Sequence, residues 1–481
     1  MRINKAIISF IFVSFGLGTS SCSLSEATGP GESAKPLFTL EGNIFTDRTL
    51  SADTTYLLKG VVRVKAGAAL HIAAGTLLRS DKQLKGLLVV EQNGKILAEG
   101  THDKPIVFTS NAPAGQRAAG DWGGIIVCGN APTDAGARVA LGNVAHTVFG
   151  GDSRADASGV IRYVRIEFAG QPLLPSMDYP GLLLAGVGHG TTIENVMCSY
   201  SLNDGFGFRG GTVEAKRLIA FRCHDDDYDM DLGYQGRIQF GLGLKAPVWA
   251  AARSNGIEID GTSSTATAPV LSNFTIIGPK TDTETEIAPN YENGLAVRNN
   301  GRVVMRNSII ASFPFGIFID DQQPGAGAAA LSGETQIENT VLAGVLNWGG
   351  NGYGNRHNPF RDRASDLPFQ TDSGTSGSPL KWTASFPGSS GNSDNPAQVE
   401  PMVAWFEGGQ HRNWQVAHSQ VIGLRGNTPV PLPDATSVLL SYARWQNRED
   451  AFFDKVPFTG AFGDSDWTSG WANWDPQNMP Y

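Results

Sequence analysis

Charge is scarce in this chain of 481 residues: Asp, Glu, Lys and Arg together make 17% of it, and their formal sum is −9. That balance argues against a nucleic-acid partner, which needs a basic face to displace counterions from phosphates. Cysteine is scarcer, with four residues at positions 22, 128, 198 and 223, and no CxxC pair or Cys/His spacing of a zinc site occurs. The apolar run from Ala6 to Leu17 is too short for a comfortable membrane span, which takes about twenty residues. No Ser/His/Asp order, phosphate-binding glycine loop or cofactor fingerprint stands out. The stretch Gly205-Phe-Gly-Phe-Arg-Gly-Gly211 is not a dinucleotide loop, because no helix pattern follows it.

Glycine is plentiful, at 59 residues, which suits many tight corners on a long sheet rather than helical layers. One hexapeptide pattern recurs five times: Asp204-Gly-Phe-Gly-Phe-Arg209, Asp226-Asp-Tyr-Asp-Met-Asp231, Asn255-Gly-Ile-Glu-Ile-Asp260, Asn293-Gly-Leu-Ala-Val-Arg298 and Phe315-Gly-Ile-Phe-Ile-Asp320. Successive starts lie 22 to 38 residues apart, a spacing typical of a supersecondary unit repeated along a solenoid. Length alone would suggest several domains, but a solenoid grows by adding rungs, so the coils are read as one domain.

Successive strand residues point to opposite faces. The third and fifth positions (Phe206 and Phe208, Tyr228 and Met230, Ile257 and Ile259, Leu295 and Val297, Ile317 and Ile319) are expected inward as one apolar stack. The fourth and sixth are expected outward. With coils stacked in register at about 4.8 Å, Asp229 and Asp231 fall one rung below Glu258 and Asp260, with Arg209 beneath and Arg298 above. A second strand repeats ahead of the first, in Ile193–Cys198, Val270–Ile277, Val303–Ile310 and Ile337–Leu342, with Asn195, Asn273, Asn307 and Asn339 at equivalent places. Asparagine there suits a left-handed bend or an amide ladder.

On these repeats, and on the amino-terminal rungs Gly60–Gly67, Leu70–Thr76, Leu87–Gly100, Pro105–Ser110 and Asp121–Gly129, the chain resembles the right-handed parallel β-helices of the pectin-lyase-like superfamily. In particular it resembles the bacterial surface lipoproteins built that way. The fold this implies is all-β: a right-handed parallel β-helix over 40–345, with an irregular C-terminal capping region over 346–481 that includes a short helical segment. The superfamily holds lyases, hydrolases, adhesins and non-enzymatic scaffolds, so the fold alone selects no activity.

The first 22 residues resemble a bacterial lipoprotein signal: Arg2 and Lys5 are followed by the apolar run and by Thr19-Ser-Ser-Cys22. Lipidation at Cys22 is expected, with residues 23–39 as a flexible tether and the cell outer membrane as the location; ordinary secretion is the alternative. Cys128, Cys198 and Cys223 read as buried core thiols, with a Cys198–Cys223 disulfide as the competing arrangement. Residues Thr436 to Asp454 carry helical spacing around Leu439, Leu440, Tyr442, Ala443 and Trp445. The closing segment, with Trp467, Trp471 and Trp474, is expected to cover an open solenoid end or to stack on sugar rings.

The sharpest chemical candidate is His224-Asp-Asp-Asp-Tyr-Asp-Met-Asp231. Asp229, Asp231, Glu258 and Asp260 together would suit calcium, which takes six to eight oxygen ligands. The competing reading is a solvated acidic face balanced by Arg209, Arg298 and Lys245. In lyases of the resembled superfamily an arginine or lysine is the base beside bound calcium, a role open to Arg209 or Arg298. A hydrolase would instead use Asp229 and Asp260, since paired carboxyl groups work about 5 to 9.5 Å apart. The functional expectation is a surface lipoprotein that binds or cleaves polysaccharide along the acidic ladder, with calcium as the candidate ion. The alternative is a non-enzymatic structural or adhesive solenoid.

Overall fold

Parallel pairing dominates because each strand is followed one coil later by an equivalent strand, which can bury its apolar face only by stacking. A computed structural model describes residues 35–136, 138–141, 147–172, 179–250, 253–262, 265–279, 286–319, 325–343, 360–361, 389–390, 430–433, 437–445 and 450–481. The signal and Cys22, residues 23–34 of the tether and most of 346–429 lie outside the described residues, while residues 37–39, expected as tether, begin the strand Leu37–Ile44, which pairs with Thr55–Val64. Among the described residues, 27 strands join in one continuous ladder, and every pairing in it is parallel. A separate antiparallel pair joins Val139–Ala140 to Val148–Phe149. The architecture is the expected parallel β-helix.

The hexapeptide column keeps the expected register. Tyr228 lies over Phe206, Ile257 over Tyr228, Leu295 over Ile257 and Ile317 over Leu295. All ten third- and fifth-position side chains are fully buried in one core. Phe206 and Tyr228 stack with centroids 5.4 Å apart. Outward positions are partly exposed at Asp229, Asp231, Glu258, Asp260, Arg209 and Arg298. Ala296 and Phe318 depart from that pattern: on the same outward face they are only 1% and 2% exposed, so the protein covers this face beyond Glu258.

The bend within the second repeated strand is a column of left-handed residues. Tyr163, Asn195, Arg217, Phe240, Asn273, Asn307 and Asn339 align rung upon rung, with φ between 45° and 62°. Three of the seven are not asparagine, so no unbroken amide ladder runs along this bend; the backbone angle is the shared requirement. A ladder of main-chain N–H bonds to side-chain oxygens occurs instead at the first hexapeptide position. The N–H of Asp226 donates to Asp204 Oδ1 (3.1 Å), that of Asn255 to Asp226 Oδ1 (2.5 Å) and that of Asn293 to Asn255 Oδ1 (3.1 Å).

The closing segment does not plug an end. Its described residues run back along one flank. Arg444 N–H donates to Asn307 Oδ1 (2.9 Å), and Asn273 Nδ2 donates to the Phe458 carbonyl (2.9 Å). Gln239 exchanges hydrogen bonds with the main chain of Asp454 at 2.8 and 2.9 Å. Farther on, Arg117 donates to the carbonyls of Pro476 and Met479, and the Tyr481 hydroxyl donates to Glu167 Oε1 at 2.6 Å. The reason for the sideways path is an apolar stripe on the outside of the coils: Met197, Ile219, Phe221, Leu242, Leu244, Ile277 and Ile309, covered by Leu439, Phe462, Trp471 and Trp474.

Trp471 is fully buried and Trp474 nearly so, which removes both as open sugar platforms. Among the described residues of 436–454, the helical spacing yields a 3-10 turn, Val438–Ser441, capped by the Ser437 hydroxyl. The described α-helix is Ala326–Ser332, closed by Gly333 in the left-handed conformation at φ 81°. Cys128, Cys198 and Cys223 are free and buried, so the Cys198–Cys223 disulfide does not form.

Candidate functional site

Three consecutive aspartates precede strand Tyr228–Asp231, and alternation sends them to different places. Asp227 turns into the protein, where its carboxylate meets Lys245 Nζ at 3.2 Å with both side chains wholly shielded from solvent. Lys245 also donates to the Asp225 carbonyl, which accepts from the Ser254 hydroxyl at 3.0 Å. Lys245 is therefore no balancing charge on a solvated face. It is the internal cation that pins this acidic turn.

Asp225 and Asp226 stay with the outer cluster. Carboxylate oxygens of Asp204, Asp225 and Asp226 lie within 4.8 Å of one another, and so do those of Asp226, Asp229 and Glu258. Asp226 belongs to both groups. The ladder of main-chain N–H donors holds Asp204 and Asp226 in place from the rung above, and Asn255 Nδ2 donates to Glu258 Oε2 at 2.9 Å. Neighbouring carboxylates in protein surroundings resist ionisation. Burial first, then the Asp225 charge, raises Asp226 to about 7. Burial first, then the Asp226 charge, raises Asp229 to about 7. Asp204 and Asp231 are raised well above the ordinary range, again by burial and then by Asp229.

Of the residues expected from sequence, Asp229 and Glu258 come together as neighbours in register, and Asp226 joins them. Asp231 and Asp260 lie farther along the strands, outside both three-carboxylate groups. Asp231 faces Arg209 at 3.6 Å. Asp260 faces Arg298 at 3.4 Å and accepts from Asn299 Nδ2 at 2.5 Å. Arg298 also pairs with Glu258 Oε1. Asp204, Asp225 and Asp226 lie outside the expected ligand set, although the stretch His224–Asp231 that holds the last two is the sharpest candidate from sequence. For Asp204 and Asp226 the signal is the acidic first position of the first two hexapeptides, which becomes meaningful once that position is known to form the hydrogen-bonded ladder.

The donor set suits a hard divalent cation. Oxygens on opposite sides of a calcium ion, with bonds of 2.3 to 2.6 Å, lie at most about 5.2 Å apart, and both three-carboxylate groups meet that limit. Arg298 opposes occupancy by holding one oxygen of Glu258. Such an ion would relieve the repulsion that burial leaves among these acids.

The crystal structure of pectate lyase Pel9A aligns with 90% of this chain and 97% of its own, at 12% identity and a TM-score of 0.41, a likeness too distant to carry an argument. No curated protein matches the chain by sequence. The family model of the pectate-lyase-like β-helix domain matches residues 42–386, well over half of the chain. With its unbroken parallel ladder, the chain belongs to the pectate-lyase-like β-helix family.

Proposed function

We propose that the protein binds acidic polysaccharide at the Asp204, Asp225, Asp226, Asp229 and Glu258 cluster, with a divalent cation, calcium by its donor chemistry, between protein and sugar carboxylates. The observation that carries this reading is the two groups of three carboxylates sharing Asp226, each within 4.8 Å, on a pectate-lyase-like β-helix, with Asp204 and Asp226 buried and Asp225, Asp229 and Glu258 partly exposed. A bound calcium would offset part of the charge on the acids and offer its open coordination positions to uronate oxygens. The chain's own part is to hold the oxygens in place through the first-position ladder and through Lys245 behind the turn.

Retention is favoured over cleavage. Arg209 and Arg298, the candidate bases on this face, each lie against carboxylates, Arg209 at 3.6 Å from Asp231 and Arg298 at 3.4 Å from Asp260. A guanidinium so placed acts as a charge partner. The amino-terminal signal adds a surface location to the proposal, with Cys22 acylated and the protein anchored in the outer membrane. Intact-mass measurement of the mature protein tests the anchor; an unmodified chain cut elsewhere would remove it.

Calorimetric titration with calcium tests the site. Wild type is expected to bind the ion and then retain polygalacturonate, while Asp229→Asn combined with Glu258→Gln is expected to lose both. Absence of calcium binding by wild type would overturn the reading. Release of unsaturated ends or reducing ends from the polymer would overturn the preference for retention.

A further inference from the structure

Trp249 leaves 36% of its surface exposed, yet it is held firmly in place. Its indole stacks on the His224 imidazole, with centroids 5.4 Å apart and planes 23° apart, and meets the Tyr200 ring at 5.7 Å and 59°. The Tyr291 hydroxyl bridges the carbonyls of Ala246 (2.6 Å) and Trp249, fixing the loop that carries the indole.

The position of this aromatic group is informative. His224 immediately precedes Asp225, and Tyr200 lies four residues before Asp204, so both ring partners are carried by the segments that supply carboxylates to the acidic cluster. Leu202, between Tyr200 and Asp204, is 37% exposed, and Val248, beside Trp249, is 67% exposed. Exposed apolar side chains near segments that supply carboxylates suit a ligand with both characters. A uronate pyranose has both: a carboxylate for the ion and a face of C–H bonds for an aromatic plane. Tryptophan is well suited to the second contact, being broad, flat and low in conformational entropy.

We propose that Trp249, braced by His224 and Tyr200, is the stacking platform for a pyranose ring of the acidic polysaccharide, next to the ring whose carboxylate is held at the Asp226 cluster. This deepens the proposed function and rests on it. Trp249 is a specificity-determining residue here: it selects a sugar chain over other polyanions that the cation alone would attract.

The test is calorimetry with calcium alone and then with an α-1,4-linked hexagalacturonate on the calcium-loaded protein, for wild type, Trp249→Ala and Trp249→Phe. Trp249→Ala is expected to weaken hexagalacturonate binding about tenfold, with Trp249→Phe keeping most of the affinity and calcium binding alike in all three. Equal hexagalacturonate affinity in wild type and Trp249→Ala would overturn the platform and leave the cation site standing. Loss of calcium affinity in Trp249→Ala would also overturn it, showing that the indole only supports the acidic turn through His224. A wild type that binds calcium but not hexagalacturonate would overturn both the platform and the uronate reading, whereas failure to bind calcium would overturn the shared site itself.

Discussion

Lys245 and Asp227 face each other at 3.2 Å with neither side chain exposed, directly behind the acidic turn. Removing one member leaves the other buried and uncompensated. Lys245→Met is therefore expected to destabilise the protein by about 3–5 kcal/mol, and adding Asp227→Leu is expected to restore much of that loss. Chemical denaturation of the two variants measures the difference; equal midpoints for single and double variant would contradict the pairing.

The pH response of the acidic cluster has a definite sign. Asp226 and Asp229 sit at about 7 in the folded chain, against about 4 for an ordinary aspartate. Folding without a cation therefore takes up protons between those values, so stability from these groups is fullest at acid pH and falls as pH rises from about 4 to about 7. A divalent ion prefers the ionised acids, so its affinity rises over the same window and its binding expels protons. Titration in two buffers of different ionisation enthalpy, at slightly acid pH, counts the protons released, and a count of zero would contradict the shifted acids.

Calcium at a hundred times its dissociation constant is expected to add about 2.7 kcal/mol of stability, seen as a rise in Tm. Asp229→Asn with Glu258→Gln is expected to abolish the rise. Persistence of the full rise in that variant would place the ion elsewhere.

Ile257 is fully buried between Tyr228 and Leu295, so Ile257→Asp is expected to cost several kcal/mol by burying an unpaired charge. Ala296→Asp looks harmless from alternation alone, since position 296 points outward. With only 1% of Ala296 exposed, this substitution is also expected to be strongly destabilising. Thermal melts of both variants check this; a melt for Ala296→Asp matching wild type would show an open face.

Why one of these residues was legible and the other not is a matter of range. Ile257, Ile259 and their equivalents declare themselves by a period of two, which the core enforces on every rung. Ala296 obeys the same period, but what covers it comes from elsewhere in the chain and leaves no mark in its own hexapeptide. The same holds for the site. Alternation put Asp229 beside Glu258 correctly, yet it equally promoted Asp231 and Asp260, which the structure gives to Arg209 and Arg298. Asp226 precedes the strand, and its place is set by the N–H of Asn255, 29 residues on. The flank path of 437–481 is longer in range still: Tyr481 reaches Glu167 across 314 residues of sequence.

That path alters how the molecule should come apart. A row of coils that touch only their neighbours loosens from its tips, one coil at a time. Here a single strap is fastened to Asn307 late in the row and to Arg117 and Glu167 early in it, with Gln239 and Asn273 between. Like a binding along the spine of a book, it ties the fate of each leaf to the rest, so the coils it crosses should yield in one concerted transition and resist erosion from either tip.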